Sequence, residues 1–174
     1  MDKPLLYIHN TRTAGWGLII YLSPVPFFYT TNHSPISSVS NRNDFITFTT
    51  VRDPFTRVHS QFEFYKKRRK KLPENLSFEE FVLNYDYWAS QPNLKHSLRT
   101  CFDFINVDGN VVVDHILHFE NLAEEYNQLA QQYDLPLDLP HEHKNEYKGE
   151  YTPSLYTQEM KDKIYQLFNK DFNL

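Results

Sequence analysis

The 174-residue sequence has a single cysteine, Cys101, only four glycines, and no apolar run long enough to cross a membrane. One thiol cannot form an internal disulfide and offers no metal-binding spacing, so a reducing compartment, the cytoplasm, is the expected setting. The apolar run Leu5 to Ile8 near the amino terminus is far shorter than a signal-peptide core or a membrane helix, and no membrane span is expected. Basic residues are scarce over most of the chain. Lys66, Lys67, Arg68, Arg69, Lys70 and Lys71 form one run, and outside it 12 basic residues face 22 acidic ones, a formal charge of −10. Such a body excludes a generally basic nucleic-acid binder. With 40% hydrophobic and 16% aromatic residues the chain can build one core, and a single domain over residues 1–174 is expected.

The apolar pattern alternates strands with helices. Leu5 to Ile8 reads as a buried first strand, the polar set His9 to Thr13 as a loop, and Ala14 to Leu22 as a short helix ended by Ser23-Pro24. Pro26 to Thr31 is a second strand candidate. Asp44 to Val51 (DFITFTTV) combines β-branched and aromatic residues with alternation and reads as a third. Asp53-Pro54 then starts a helix with Asp53 as N-cap and Pro54 at the first helical position, carrying Phe55, Val58, Phe62 and Tyr65 and closing in the basic run before Pro73. Ser77-Phe78-Glu79-Glu80 repeats the capping logic for a helix to about Tyr85. Leu94 to Phe102 is expected to be helical, Asp108-Gly109 to be a turn, and Val111 to Leu117 a strand. Asn121 to Tyr133 and Gln158 to Asp171 are amphipathic helices. This order predicts an α/β domain with a central parallel sheet flanked by helices.

Two segments carry chemistry. The first, HNTRTAGWG at residues 9–17, lies between a strand and a helix. Backbone N–H groups at a helix start, a glycine that admits a close ligand, and the cation of Arg12 together suit an anion. It is not a Walker loop, because it lacks the Gly-Lys-Ser/Thr ending. The second, RDPFTRVHS at residues 52–60, puts Arg52 at the carboxyl end of a strand, where open α/β sheets bind ligands. Ser60 follows two helical turns later, facing the same side as the helix start.

These two segments in this order resemble the carbohydrate-type (sulfotransferase family 2-like) enzymes that use 3′-phosphoadenosine 5′-phosphosulfate, PAPS. Members of that family carry a loop of the form H-I-P-K-T-A/G-G-T-S after the first strand and R-D-P-x-x-R-x-x-S after a later one. SFEEFV at 77–82, VDHILHFENL at 113–122 and the closing YTQEMKDKIYQLFNKDF are similar to further family segments in family order. The resemblance implies a P-loop-NTPase-like sulfotransferase fold. It further implies that Arg12, Thr13, Ala14, Gly15, Trp16 and Gly17 surround the donor's 5′-phosphosulfate, and that Arg52 and Ser60 hold its 3′-phosphate. Lys144, in His143-Lys144-Asn145, would reach a phosphate from the loop before the last helix.

The activity implied is transfer of a sulfuryl group from PAPS to an acceptor hydroxyl, that of a carbohydrate, by in-line displacement without a metal. Arg12 would stabilise the departing phosphate. His33, in FFYTTNHSP after the second strand, is similar in place to the family's base, with His59 or His96 next in rank. Two departures stand out: Arg12 replaces the family lysine, and Trp16 and Gly17 replace hydroxyl residues. Arginine keeps its charge and can fork onto phosphate oxygens, but it does not donate a proton as lysine can.

The basic run has two readings. It is a solvated helix end favoured by the helix dipole, or a rail for an anionic acceptor. No nucleic-acid partner is expected, since Tyr65 is the only adjacent aromatic. Two rivals to the transferase stay open on sequence alone: a nucleotide- or anion-binding module of the same fold with weak or no transfer, and a P-loop-type phosphotransferase.

Overall fold

Four short apolar or β-branched segments supply the sheet. A computed structural model of the chain describes residues 3–139 and 152–174. Strand β1 is Leu5–Ile8, β2 Phe28–Thr30, β3 Ile46–Val51 and β6 His115–His118, and they lie side by side in the order β2-β1-β3-β6, every neighbour pair parallel. The parallel-sheet α/β expectation therefore holds. Leu5 pairs with Phe28 on one side and Ile46 on the other, and Ile8 with Thr49.

The described residues divide into two compact units, residues 3–52 with 101–139 and Leu174, and residues 53–100 with 152–173. The sheet belongs to the first. Alternation along the strands gives it two faces. Leu5, Tyr7, Phe48 and Leu117 pack with Leu18 and Leu22 of helix α1 (Gly15–Leu22) and with Tyr126 and Leu129 of helix α6 (Leu122–Tyr133). Leu6 and Ile8 face the other way, onto Ile36 and onto Phe104 and Ile105 of the short helix α5 (Cys101–Ile105). Since β1 is followed by β2 on one side and flanked by β3 on the other, the chain reverses its winding between β1 and β3. Open sheets bind ligands beyond the strand ends at such a point.

In the second unit, α2 (Pro54–Glu63) starts as its sequence dictates: Asp53 accepts from the Thr56 N–H at 2.9 Å and Pro54 occupies the first turn. The helix does not run on in α form through the basic residues. Phe64–Arg68 form one π-helical turn, and Lys70 takes φ 48°, which ends it. Lys66 donates to the Leu76 carbonyl, Lys67 pairs with Glu63 and Lys71 donates to the Asn93 carbonyl, while Arg68 and Arg69 flank the Phe64 ring at 5.6 and 5.4 Å. Helices α3 (Phe78–Leu83), opened by the Ser77/Glu80 capping box, α4 (Tyr85–Ser90) and α7 (Gln158–Leu167) close a core around Val58, Phe62, Phe81, Met160 and Ile164.

Three sequence expectations are corrected. Leu94 to Phe102 is not one helix: residues 94–97 form turns, 98–100 are irregular and α5 begins only at Cys101, and the Ser97, Leu98 and Arg99 carbonyls accept from the side chains of Gln61 at 3.1 Å, Tyr85 at 2.8 Å and Arg57 at 2.6 Å. Val111 to Leu117 is not one strand. Asp114 accepts from both the N–H and the hydroxyl of Thr47 at 2.7 Å, breaking the run, and Asn110–Val111 (β5) turns back to pair with Asn106–Val107 (β4). The Asp108-Gly109 turn between them is as expected, both residues at positive φ (51° and 82°). The last helix stops at Leu167, four residues early, and Asp171–Asn173 form a separate 3₁₀ turn.

Candidate anion-binding site

The carboxyl ends of β1, β2 and β3 bring together three loops. The loop after β1 enters α1 through two left-handed residues that are not glycine, Arg12 (φ 63°) and Ala14 (φ 64°). The loop after β2 has two more, Asn32 (φ 47°) and His33 (φ 68°). Each such conformation costs about 1–2 kcal/mol, and four of the eight described non-glycine residues with positive φ in this unit lie in these two loops, where the sheet would meet a ligand.

A buried chain of hydroxyl groups holds the first loop down. Thr50 Oγ1 donates to Thr13 Oγ1 at 2.8 Å, and Thr13 donates to the Asn10 carbonyl at 3.3 Å. Thr50 has thus spent its proton, so Tyr7, 2.5 Å from the same oxygen, must be the donor there. Burial holds the Tyr7 phenol well above its ordinary pKa, against the lowering effect of Thr50 and Thr13, and keeps that proton in place. Asn10 adds two bonds, from Nδ2 to Thr49 Oγ1 at 3.1 Å and to the Thr50 carbonyl at 2.9 Å. Loop and β3 are therefore stitched by side chains beyond the last ladder bond.

Helix α1 begins directly on this platform. No side chain caps it and its first turn has no acidic residue, which leaves the positive end of the helix to another anion. Gly15 is required here. A Cβ would lie 2.2 Å from His9 Cδ2, 2.3 Å from His9 Nε2 and 2.9 Å from the Tyr7 oxygen. Two cations border the same loop. Arg12 is half-buried within it, and Arg52, at the end of β3, donates from Nη1 to the Arg12 carbonyl at 3.4 Å while its guanidinium lies 4.2 Å from the Phe119 ring centroid. An uncapped helix start, a glycine pressed against the wall and two arginines fit a phosphate or sulfate group.

His33 completes the cluster. Its ring lies against that of His9 with centroids 3.8 Å apart and planes tilted by 32°, and its Nδ1 lies 3.0 Å from the His9 carbonyl oxygen. A carbonyl only accepts, so Nδ1 carries the hydrogen and Nε2 of the neutral ring carries the lone pair. Burial lowers the His33 pKa more than the carbonyl bond raises it. Burial, with a smaller contribution from His33, pushes His9 down to about 3. Both rings are neutral at pH 7. His9 Nδ1 and Asn10 Oδ1 are buried without a protein hydrogen-bond partner, two of the few such side-chain atoms among the described residues.

No protein-family profile and no solved structure matches the chain. An uncharacterized protein of Archaeoglobus fulgidus is 33% identical over 94 residues, 53% of this chain and 70% of that protein. This chain belongs to the same family as that archaeal protein.

Of the residues expected at the site, Arg12, Thr13, Ala14, Gly15, Trp16 and Gly17 share one loop and helix start, and Arg52 and His33 border it. The Thr13 hydroxyl is turned into the sheet and engaged on both sides. Ser60 lies in α2, in the second unit, as does His59, which is buried; His96 of that unit is exposed. Lys144, with His143 and Asn145, lies outside the described residues. Among the described residues no group of three or more His, Cys, Asp or Glu side chains is placed to hold a metal ion, and no helix is long and apolar enough to cross a membrane. Tyr7, Asn10, Thr49 and Thr50 were not singled out by sequence. The signal was present as three threonines in DFITFTTV, polar side chains in a strand otherwise read as core.

Proposed function

We propose that the protein is a PAPS-dependent sulfotransferase that passes a sulfuryl group to a hydroxyl of a carbohydrate acceptor, with the sheet as the centre of a P-loop-like sulfotransferase fold. The observation that carries the reading is the meeting of Arg52, from the end of β3, with the strained Arg12 loop at the uncapped start of α1. The two motifs that carry the resemblance thus bring two permanent charges to neighbouring positions, one for each phosphate end of the donor.

The donor supplies a sulfuryl group on a phosphate leaving group. The chain supplies charge, alignment and a base. Arg12 and the α1 N–H groups bind the 5′-phosphosulfate, and Arg12 offsets charge as it develops on the phosphate without giving up a proton. Arg52 holds the 3′-phosphate. His33 takes the acceptor proton at Nε2: its Nδ1–H bond to the His9 carbonyl sets the tautomer and strengthens as the ring becomes cationic, and burial keeps the ring neutral beforehand. The neutral His9 ring beneath it adds no opposing charge.

Adenosine 3′,5′-bisphosphate, the donor's product, should raise the melting temperature, and Arg52→Ala should remove that rise. No shift at millimolar bisphosphate would end the donor assignment. His33→Ala should keep the shift and lose turnover; retained turnover would place the base elsewhere.

A second reading, an anion-binding module without efficient transfer, is favoured by one observation. Thr13 spends its hydroxyl inside the sheet and Trp16 and Gly17 have none, so the positions from Thr13 to Gly17 bring backbone but no available side-chain hydroxyl to a sulfuryl group. Labelled PAPS distinguishes the two: transfer across an acceptor panel supports the enzyme, and binding with neither transfer nor hydrolysis supports the module.

A further inference from the structure

We propose that the indole of Trp16 is the platform on which the acceptor's sugar ring stacks, an inference that rests on the transfer reading above. Trp16 is the second residue of α1 and is 61% exposed, although Leu18 and Leu22 of the same helix are buried. The cause is local. Gly15 is pressed against His9 and Tyr7, so α1 starts with its backbone on the wall of the site and position 16 turned outward. Ile20, one turn further on, is 55% exposed and extends the apolar strip along the same face. Trp16 and Ile20 together leave a contiguous apolar strip in water beside the polar loop, the kind of surface that binding sites present.

The ring arrangement selects the acceptor side. Trp16 meets His9 edge-on, with centroids 6.0 Å apart at 88°, and His9 packs on His33 at 3.8 Å, tilted by 32°. The indole centroid is therefore no more than about 10 Å from the ring of the proposed base. A sugar presents C–H groups on one face and hydroxyls around its rim. The C–H face suits the electron-rich face of an indole, and the rim is then directed to polar groups such as His33 Nε2. An open platform favours this ligand over a wholly apolar acceptor, which needs burial on most of its surface. The backbone at position 16 stays available to the anion while the side chain serves the acceptor, so the tryptophan that replaces the family's hydroxyl residue has a use of its own.

The test uses the fluorescently labelled full chain on an array of neutral and anionic oligosaccharides. Wild type should bind a subset of glycans, Trp16→Ala should bind that subset at least tenfold more weakly, and Trp16→Phe should fall between. In a Trp88→Phe background, where Trp16 is the only indole left, the best-bound glycan should change the emission. No glycan bound by wild type, or equal binding by Trp16→Ala, overturns the platform. The bisphosphate melting shift separates this inference from the donor reading. If wild type shows no shift, the donor reading falls whatever the array shows. If the shift is present in wild type but lost in Trp16→Ala, the indole serves the donor and the acceptor assignment is overturned.

Discussion

Replacing Gly15 by alanine tests how the anion loop is built. The added Cβ would lie within 2.3 Å of two His9 ring atoms and 2.9 Å from the Tyr7 oxygen. Neither ring has room to yield. His9 is 2% exposed and packed against His33, and Tyr7 is fully buried, with its hydroxyl bonded to Thr50. The start of α1 must therefore lift. Overpacking a tight site costs about 1–3 kcal/mol, and conflict with two buried rings puts this case near the top of that range. Alanine is a better helix former than glycine by about 1 kcal/mol, so the net loss should be about 2 kcal/mol. Urea denaturation at pH 7 measures it, and bisphosphate binding should weaken in parallel because the helix start carries the anion. Gly109→Ala is the control: nothing lies within 4 Å of its Cβ, but φ of +82° makes any side chain strained, at about 1 kcal/mol. A Gly15→Ala stability within about 0.5 kcal/mol of wild type would refute the packing argument.

Three further outcomes follow from the buried polar groups. His9 is neutral in the fold down to about pH 3 but titrates at its ordinary value of 6.5 when unfolded, so its contribution is present above pH 6.5 and is lost as pH falls from there towards 3. The loss between pH 7 and pH 5 should be about 2 kcal/mol by denaturant titration, and a His9→Gln slope as steep as wild type would sink this assignment. In the second unit Arg57 is wholly buried 3.7 Å from Asp171 and donates to the Arg99 carbonyl; Arg57→Ala strands a buried carboxylate without this cation and should cost about 3–5 kcal/mol, part of it recovered in the Arg57→Ala/Asp171→Ala double variant. Tyr7→Phe removes the first donor of the hydroxyl chain and should cost about 1 kcal/mol, whereas a stabilised variant would contradict the bond direction given to Tyr7.

How far the sequence could be read varies by element. Helix starts were the clearest, because a cap is a local device: Asp53-Pro54 and the Ser77/Glu80 box act within four residues of themselves, and both formed as expected. Leu94 to Phe102 misled because its helical spacing of Leu94 and Leu98 does place both in the core, and Leu98 bonds back to the Leu94 carbonyl, but from Ser97 to Arg99 the carbonyls are claimed by side chains of Gln61, Tyr85 and Arg57, 13 to 42 residues away. The Val111 to Leu117 strand failed for the same kind of reason, a bond from the Thr47 N–H to the Asp114 carboxylate across 67 residues.

The candidate site divides along the same line. Sequence alone determined that a glycine-bearing loop with Arg12 joins a strand to a helix, that Arg52 ends another strand, and that the only dense positive charge is the run at 66–71, since composition and local spacing carry that information. Only the tertiary structure decided that β1 and β3 are neighbours, which brings Arg52 to the Arg12 carbonyl, and that Thr13 turns its hydroxyl inward to Thr50. It also decided that the His33 tautomer is set by the His9 carbonyl. Each of these depends on groups distant in the chain meeting at a few ångströms, and the strength of a hydrogen bond or a charge pair is set by that distance and by burial, neither of which a linear pattern contains.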